Sequence, residues 1–135
     1  MQYSEFIQQV KSQIGVESDD QAKQVVEATL ETLGERLSLT EQENLAAQLV
    51  NELKDMLLKR TDVHSYDLEE FYNRVSARAD IGYPDAVKRS QAVVEVLTNA
   101  ITQGEIEDIL SEVDEDFGEL FGIESPGPAS PSSVS

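Results

Sequence analysis

Residues 30–57 read LETLGERLSLTEQENLAAQLVNELKDML, and residues 94–121 repeat their apolar pattern as VEVLTNAITQGEIEDILSEVDEDFGELF. Shifting the chain by 64 places apolar residues on apolar residues and Glu41 on Glu105. The apolar positions of the first copy are Leu30, Leu33, Leu37, Leu45, Leu49, Leu53 and Leu57. A self-similarity of fixed period is typical of repeated structural units. The sequence therefore predicts two copies of one unit.

The repeat extends upstream of these stretches as a pair of amphipathic segments. A shift of 65 aligns two sets of mostly apolar residues: Tyr3, Phe6, Val10 and Ile14 with Leu68, Phe71, Val75 and Ala79. Steps of three and four residues indicate one face of an α-helix. We therefore predict an all-α fold, a six-helix bundle of two tandem three-helix repeats. Repeat one covers about residues 2–58 and repeat two about residues 67–121, within one helical domain, 1–122. The sequence leaves open whether a pseudo-two-fold axis or a translation relates them.

Capping residues indicate where the helices begin and end. Gly15 ends the first helix, because glycine readily adopts positive φ, and Ser18 begins the second. Thr40 and Glu43 have the spacing of a capping box before the third helix, which we expect to be continuous. Gly34 lies inside the second helix, where it costs up to about 1 kcal/mol relative to Ala. We therefore expect Gly34 to permit the close approach of another helix.

Two polar segments interrupt the helical pattern. Residues 59–65 are polar and aperiodic, which indicates a connector, and this connector contains His64, the one histidine of the chain. We expect His64 to be exposed and to have no catalytic or metal-binding role. Residues 123–135 are rich in Ser, Pro, Gly and Ala, and such a composition cannot compensate the entropy lost on ordering. These residues are therefore predicted to form a disordered tail.

Composition restricts the class of protein. The length of 135 residues corresponds to one domain, and cysteine is absent, so disulfides and thiolate metal sites are excluded. No apolar run reaches the roughly 18 to 20 residues that a membrane span needs, and the N-terminus does not have the pattern of a secretory signal. We therefore expect a cytoplasmic protein. The hydrophobic fraction of 39% is lean, so a helix face could remain exposed, which leaves a homodimer open.

The charge distribution is uneven. The chain has 27 acidic and 10 basic residues, a net charge of −17, and no basic residue follows Arg89. A negative field repels phosphates, so we expect neither nucleic-acid nor membrane binding. The acidic excess has three interpretations: a solvated face, a docking surface for a basic protein partner, or a divalent-cation site. The candidate interaction surface comprises Glu105, Glu107, Asp108, Glu112, Asp114, Glu115, Asp116 and Glu119.

Several repeated segments together resemble a known family. They are residues 5–10 with 69–75, residues 30–37 followed by 45–49, and residues 94–113. The chain closely resembles the bacterial family catalogued as domain of unknown function 2267, over about residues 2–121. The resemblance implies a small, helical, cytoplasmic protein without an established activity, and no catalytic residues to transfer. The family usually has a proline in the third helix of each copy, where this chain has Val50 and Asp114.

Motifs for catalysis are missing from the sequence. It contains no nucleophile elbow, Gly-rich phosphate loop or Ser/His/Asp set, so we predict neither an enzyme nor a bound cofactor. Glu31 and Glu95 occupy equivalent positions, which repeat equivalence alone explains. The first hypothesis is a non-enzymatic interaction protein whose acidic surface binds a basic partner. The alternative is a small-molecule-binding helical protein with an apolar pocket between the two repeats.

Overall fold

The computed structural model describes residues 1–123, and this part of the chain is helical without any strand. The prediction of an all-α fold is confirmed, but the prediction of six helices is wrong. Residues 124–135 of the predicted tail lie outside the described residues. The elements are α1 (Tyr3–Ile14), α2 (Asp19–Arg36), α3 (Leu39–Ala46), α4 (Asn51–Leu57), α5 (Leu68–Ala79), α6 (Tyr83–Ala100), α7 (Gln103–Glu112) and a 3₁₀ turn (Glu115–Gly118).

The additional helix arises because the predicted third helix of the first half is broken. Val50 lies between α3 and α4 in an extended conformation, with φ −69° and ψ 160°. In the second half Asp114 has nearly the same conformation, φ −66° and ψ 156°, between α7 and the 3₁₀ turn. These are the two positions where the resemblance places proline, whose ring fixes φ near about −65°. The break is therefore present although neither residue is proline.

One hydrophobic core runs through both halves. Helix α2 is central and packs against α1, α4, α5 and α6, while α1 also packs against α6. Helices α1 and α5 both have 12 residues, and α2 and α6 both have 18. The largest fully buried aromatic side chains are Phe6, Phe71 and Phe117. Because α2 and α6 bury residues against both halves, neither half has a separate core.

Gly34 lies at the closest approach of α2 to α4. A Cβ atom built on Gly34 would lie 2.1 Å from the backbone oxygen of Leu57. No side chain fits at that distance, so the expectation that this glycine permits helix approach is confirmed.

Of two predicted helix starts, the structure has one as expected, at α2, and shifts the other, at α3. Ser18 caps α2 as expected, with its hydroxyl accepting a hydrogen bond from the amide of Gln21. The predicted capping box of Thr40 and Glu43 is wrong, because α3 begins at Leu39 and its N-cap is Ser38. The Ser38 hydroxyl accepts from the Glu41 amide at 3.2 Å. The same spacing of a hydroxyl and a glutamate occurs two residues earlier than predicted.

Among residues 1–123, none of the helices combines the length and the apolar content that crossing a bilayer requires.

Candidate functional site

The eight acidic residues of the predicted surface do not form one exposed patch. Glu105 is buried and Glu112 is half-buried, and the other six are exposed. Within residues 1–123, four of the eight accept hydrogen bonds from, or pair with, groups elsewhere in the fold: Glu112, Asp114, Asp116 and Glu119. The side chains of Glu107 and Glu115 make no hydrogen bond or ion pair in this part of the chain. Much of the predicted surface therefore has a structural role.

The acids that follow α7 attach this segment to the first turns of α5. The amide of Leu68 donates to Asp116 at 3.0 Å, and the Tyr72 hydroxyl donates to Glu119 at 2.8 Å. Asp114 lies 3.6 Å from the Arg36 guanidinium, which also stacks on Phe117. These carboxylates satisfy partly buried donors, so their charges are not freely available to a partner.

The N-cap residues of α3 and α7, Ser38 and Thr102, each form hydrogen bonds with a side chain of the other half. The amide and the hydroxyl of Ser38 donate to Glu112 at 2.9 and 2.8 Å. At the other helix, the Thr102 amide donates to Gln48 at 2.9 Å, and Gln48 donates back to the Thr102 hydroxyl at 3.4 Å. Ser38 and Thr102 are 64 residues apart, as are Gln48 and Glu112. Reciprocal contacts of this kind are produced by a two-fold relation and not by a translation.

A pair of buried carboxyl groups lies beside these N-cap hydrogen bonds. Glu41 and Glu105 occupy the third positions of α3 and α7 and are only 6% and 5% exposed. Ligand oxygens of Glu41, Glu105 and the exposed Asp108 all lie within 4.8 Å of one another. One oxygen of Glu41 and one of Glu105 have no hydrogen-bond partner within residues 1–123. These three side chains are the group in the described chain that could hold a metal ion.

The electrostatics of this pair favour a bound proton or another positive charge. Burial, and then the neighbouring Glu41, raise the pKa of Glu105 from 4.5 to about 8, with further contributions from Asp108 and Glu112. No Lys or Arg occurs in α3 or α7 to offset these charges. Two carboxyl groups at short distance cannot both ionise easily, so without a cation the pair retains a proton at neutral pH.

Sequence reasoning missed this pair, although the alignment of the repeats contained it. Glu41 falls on Glu105 in a row of otherwise apolar positions, which is the signal of two buried carboxyl groups. The equivalent pair considered from sequence was Glu31 and Glu95. The structure buries Glu31 beside Arg60, whereas Glu95 is exposed on α6. The contact of α3 with α7 brings the equivalent glutamates Glu41 and Glu105 together.

Several basic residues lie on a different part of the fold, between α2, α5 and residues 58–67, which connect α4 to α5. Buried Glu35 accepts hydrogen bonds from Arg74 at 2.9 Å and from Arg78 at 3.0 Å. Burial alone would raise the pKa of Glu35, but the hydrogen bonds from Arg78 and Arg74 outweigh it and hold this pKa below its ordinary value. Arg60 and Lys59 pair with Glu31 in the same cluster. These cations therefore do not neutralise α3 and α7.

A groove of about 680 Å³ lies along α6. Its lining is mostly polar and includes Gln91, Glu95 and Asn99, and Gln13 is its one lining residue from α1. The groove is open to solvent. It differs from the enclosed apolar pocket between the halves that a small apolar ligand would need.

The fold and the carboxylate contact define a small all-helical protein whose two halves share one core and also meet where α3 contacts α7. The chain belongs to the family of uncharacterized conserved proteins known as domain of unknown function 2267, whose family model matches residues 3–120. No curated protein matches the chain. The resemblance inferred from sequence is therefore confirmed.

Proposed function

We propose that this protein is a non-enzymatic, cytoplasmic interaction module that binds a basic protein partner through an acidic surface. One observation carries the proposal: α3 and α7 lie against each other and together contain six acidic residues and no Lys or Arg. We call this surface the α3/α7 face. Its acidic residues are Glu41, Glu43, Glu105, Glu107, Asp108 and Glu112.

The exposed part of the α3/α7 face supports a docking role. Glu43, Glu107 and Asp108 are exposed, so their carboxylates can form ion pairs with a partner. Leu39 begins α3 with 57% of its surface exposed, and it provides an apolar contact next to these charges. A charged surface of one sign accelerates encounter with an oppositely charged protein and disfavours other partners. The partner class is therefore a protein with a Lys- and Arg-rich surface.

A catalytic role has less support. The sequence has no cysteine, and its one histidine, His64, is exposed in the connector with its amide donating to the backbone oxygen of Glu35. The open polar groove along α6 does not favour the alternative of an apolar ligand between the halves. We also propose that the halves are tandem copies of one unit, which the matched helix lengths and the caps 64 residues apart support.

The test measures binding of the full chain to a fluorescein-labelled peptide rich in Lys and Arg by fluorescence anisotropy. We expect affinity to fall steeply between about 50 and about 300 mM salt, because ions screen exposed charges over about 10 Å. The double variant Glu43→Gln/Glu107→Gln should weaken binding about fivefold, since each exposed ion pair contributes up to about 1 kcal/mol.

A matched control separates the α3/α7 face from overall charge. Glu17→Gln/Asp62→Asn removes the same number of exposed carboxylates from loops outside this face. We expect the control variant to bind the peptide almost as the wild type does. Equal weakening by both double variants would show that the peptide responds only to net charge, and salt-independent binding would also overturn the proposal.

A further inference from the structure

We infer that Glu41, Glu105 and Asp108 form a binding site for a hard divalent cation at the contact between α3 and α7. This inference goes beyond the acidic docking surface: the three residues lie on the α3/α7 face, but Glu41 and Glu105 are buried, and a cation can bind them without any partner protein. The three side chains offer ligand oxygens that lie within 4.8 Å of one another. That separation allows one ion to contact all three.

The second observation is that each of the two buried carboxylates has an oxygen without a hydrogen-bond partner. Thr29, Glu41 and Glu105 have the buried side-chain oxygens without a hydrogen-bond partner in residues 1–123, so two of these three atoms belong to the glutamate pair. Glu41 and Glu105 are both more than nine-tenths buried. A buried polar atom without a partner is costly, and a buried charge is normally paired or bound to a metal. An ion between the two glutamates would satisfy both oxygens.

No ion pair within residues 1–123 neutralises the two glutamates. The strongest charged neighbours of Glu105 are Glu41 on α3 and Asp108 and Glu112 on α7, all acidic. Glu112 is already occupied by the two hydrogen bonds from Ser38. The ion pairs formed by residues 1–123 include neither Glu41 nor Glu105. The site therefore has an excess of negative charge that a divalent ion would reduce.

The donor set defines the class of ion. Three carboxylates with no His or Cys match the ligands of Mg²⁺, Mn²⁺ and Ca²⁺, which prefer oxygen, and not those of Zn²⁺ or Cu⁺. Asp108 is exposed, so it gives the ion a route from solvent and leaves positions for water ligands.

The experiment titrates Mn²⁺ into the full chain, treated first with a chelator, and follows free Mn²⁺ by electron paramagnetic resonance. We expect one saturable site per chain. Glu105→Gln keeps the shape of the side chain and should weaken this binding at least about tenfold. Asp108→Asn is exposed, and it should weaken binding without affecting the fold. The matched control is Glu107→Gln, an exposed neighbour on α7, which should bind Mn²⁺ as the wild type does.

Circular dichroism of each variant checks that it is folded. The inference is overturned if Mn²⁺ binds only to several weak sites, or if Glu107→Gln lowers binding as much as Asp108→Asn does. Wild-type binding by a folded Glu105→Gln variant would also overturn it.

Discussion

Replacing Gly34 by alanine should destabilise the protein, although the same change usually stabilises a helix. In an unconstrained helix interior, Gly→Ala gains about 1 kcal/mol. At Gly34 the added Cβ would lie 2.1 Å from the Leu57 backbone oxygen, 3.1 Å from its carbonyl carbon and 3.3 Å from its Cδ1 atom. The oxygen belongs to the backbone at the end of α4 and cannot rotate away. Helix α4 must therefore move by about 1 Å, and overpacking of this kind costs about 1–3 kcal/mol.

The assay is urea denaturation at neutral pH, followed by circular dichroism, with the free energy of unfolding obtained by linear extrapolation. After the gain in helix propensity is subtracted, we expect Gly34→Ala to lower this free energy by about 1 kcal/mol, and by at most about 2 kcal/mol. The matched control is Gly104→Ala on α7, where the nearest atom to the added Cβ is the Thr102 hydroxyl at 4.0 Å. That variant should be unchanged or stabilised by up to about 1 kcal/mol. A Gly34→Ala protein as stable as Gly104→Ala would refute the packing argument.

Three further perturbations test the polar contacts. The Glu105 carboxyl, with its pKa raised to about 8, favours folding at low pH, and this contribution is lost as pH rises from 4.5 through 8. Chelator-treated Glu105→Gln should therefore exceed the wild type in urea midpoint at about pH 9 and match it near pH 4. Glu112→Ala removes both bonds from Ser38 and should cost about 1–2 kcal/mol, measured by urea denaturation, with Glu107→Ala as the control. Glu35→Gln leaves Arg74 and Arg78 without their buried carboxylate and should lower the thermal midpoint through a loss of about 3 kcal/mol.

The helices could be predicted because their apolar residues recur on one face. Phe6 and Val10 in α1, and Phe71 and Val75 in α5, are fully buried as their spacing indicates. The break at Val50 was not predicted, because Leu45, Leu49, Leu53 and Leu57 continue the apolar row across it. A step of four residues drifts about 40° around a helix of 3.6 residues per turn. In one continuous helix, leucines spaced by four residues would therefore rotate away from the buried face. The break at Val50 allows Leu53 and Leu57 to be buried.

The candidate site was less predictable than the helices. The acidic excess after Arg89 is visible in the sequence, but the sequence does not show which carboxylates are buried. Glu112 and Ser38 are 74 residues apart in the sequence, and Glu41 and Glu105 are 64 residues apart. Contacts at such separations depend on the two-fold relation of α3 and α7. Periodicity within one helix does not report how that helix meets another.

The reciprocal contacts of the two N-cap residues make the two halves complementary fragments. Ser38 at the start of α3 donates to Glu112, and Thr102 at the start of α7 donates to Gln48, so each half supplies the acceptor for the N-cap amide of the other. Cleavage within residues 58–67, which connect α4 to α5, would produce two pieces with a divided core, and the N-cap amides of Ser38 and Thr102 would lose their acceptors if the pieces separated. When mixed, such pieces should associate and refold into one domain. The same geometry would allow two copies of one half to associate in place of the two different halves. Each copy carries both an N-cap residue that donates and a side chain that accepts.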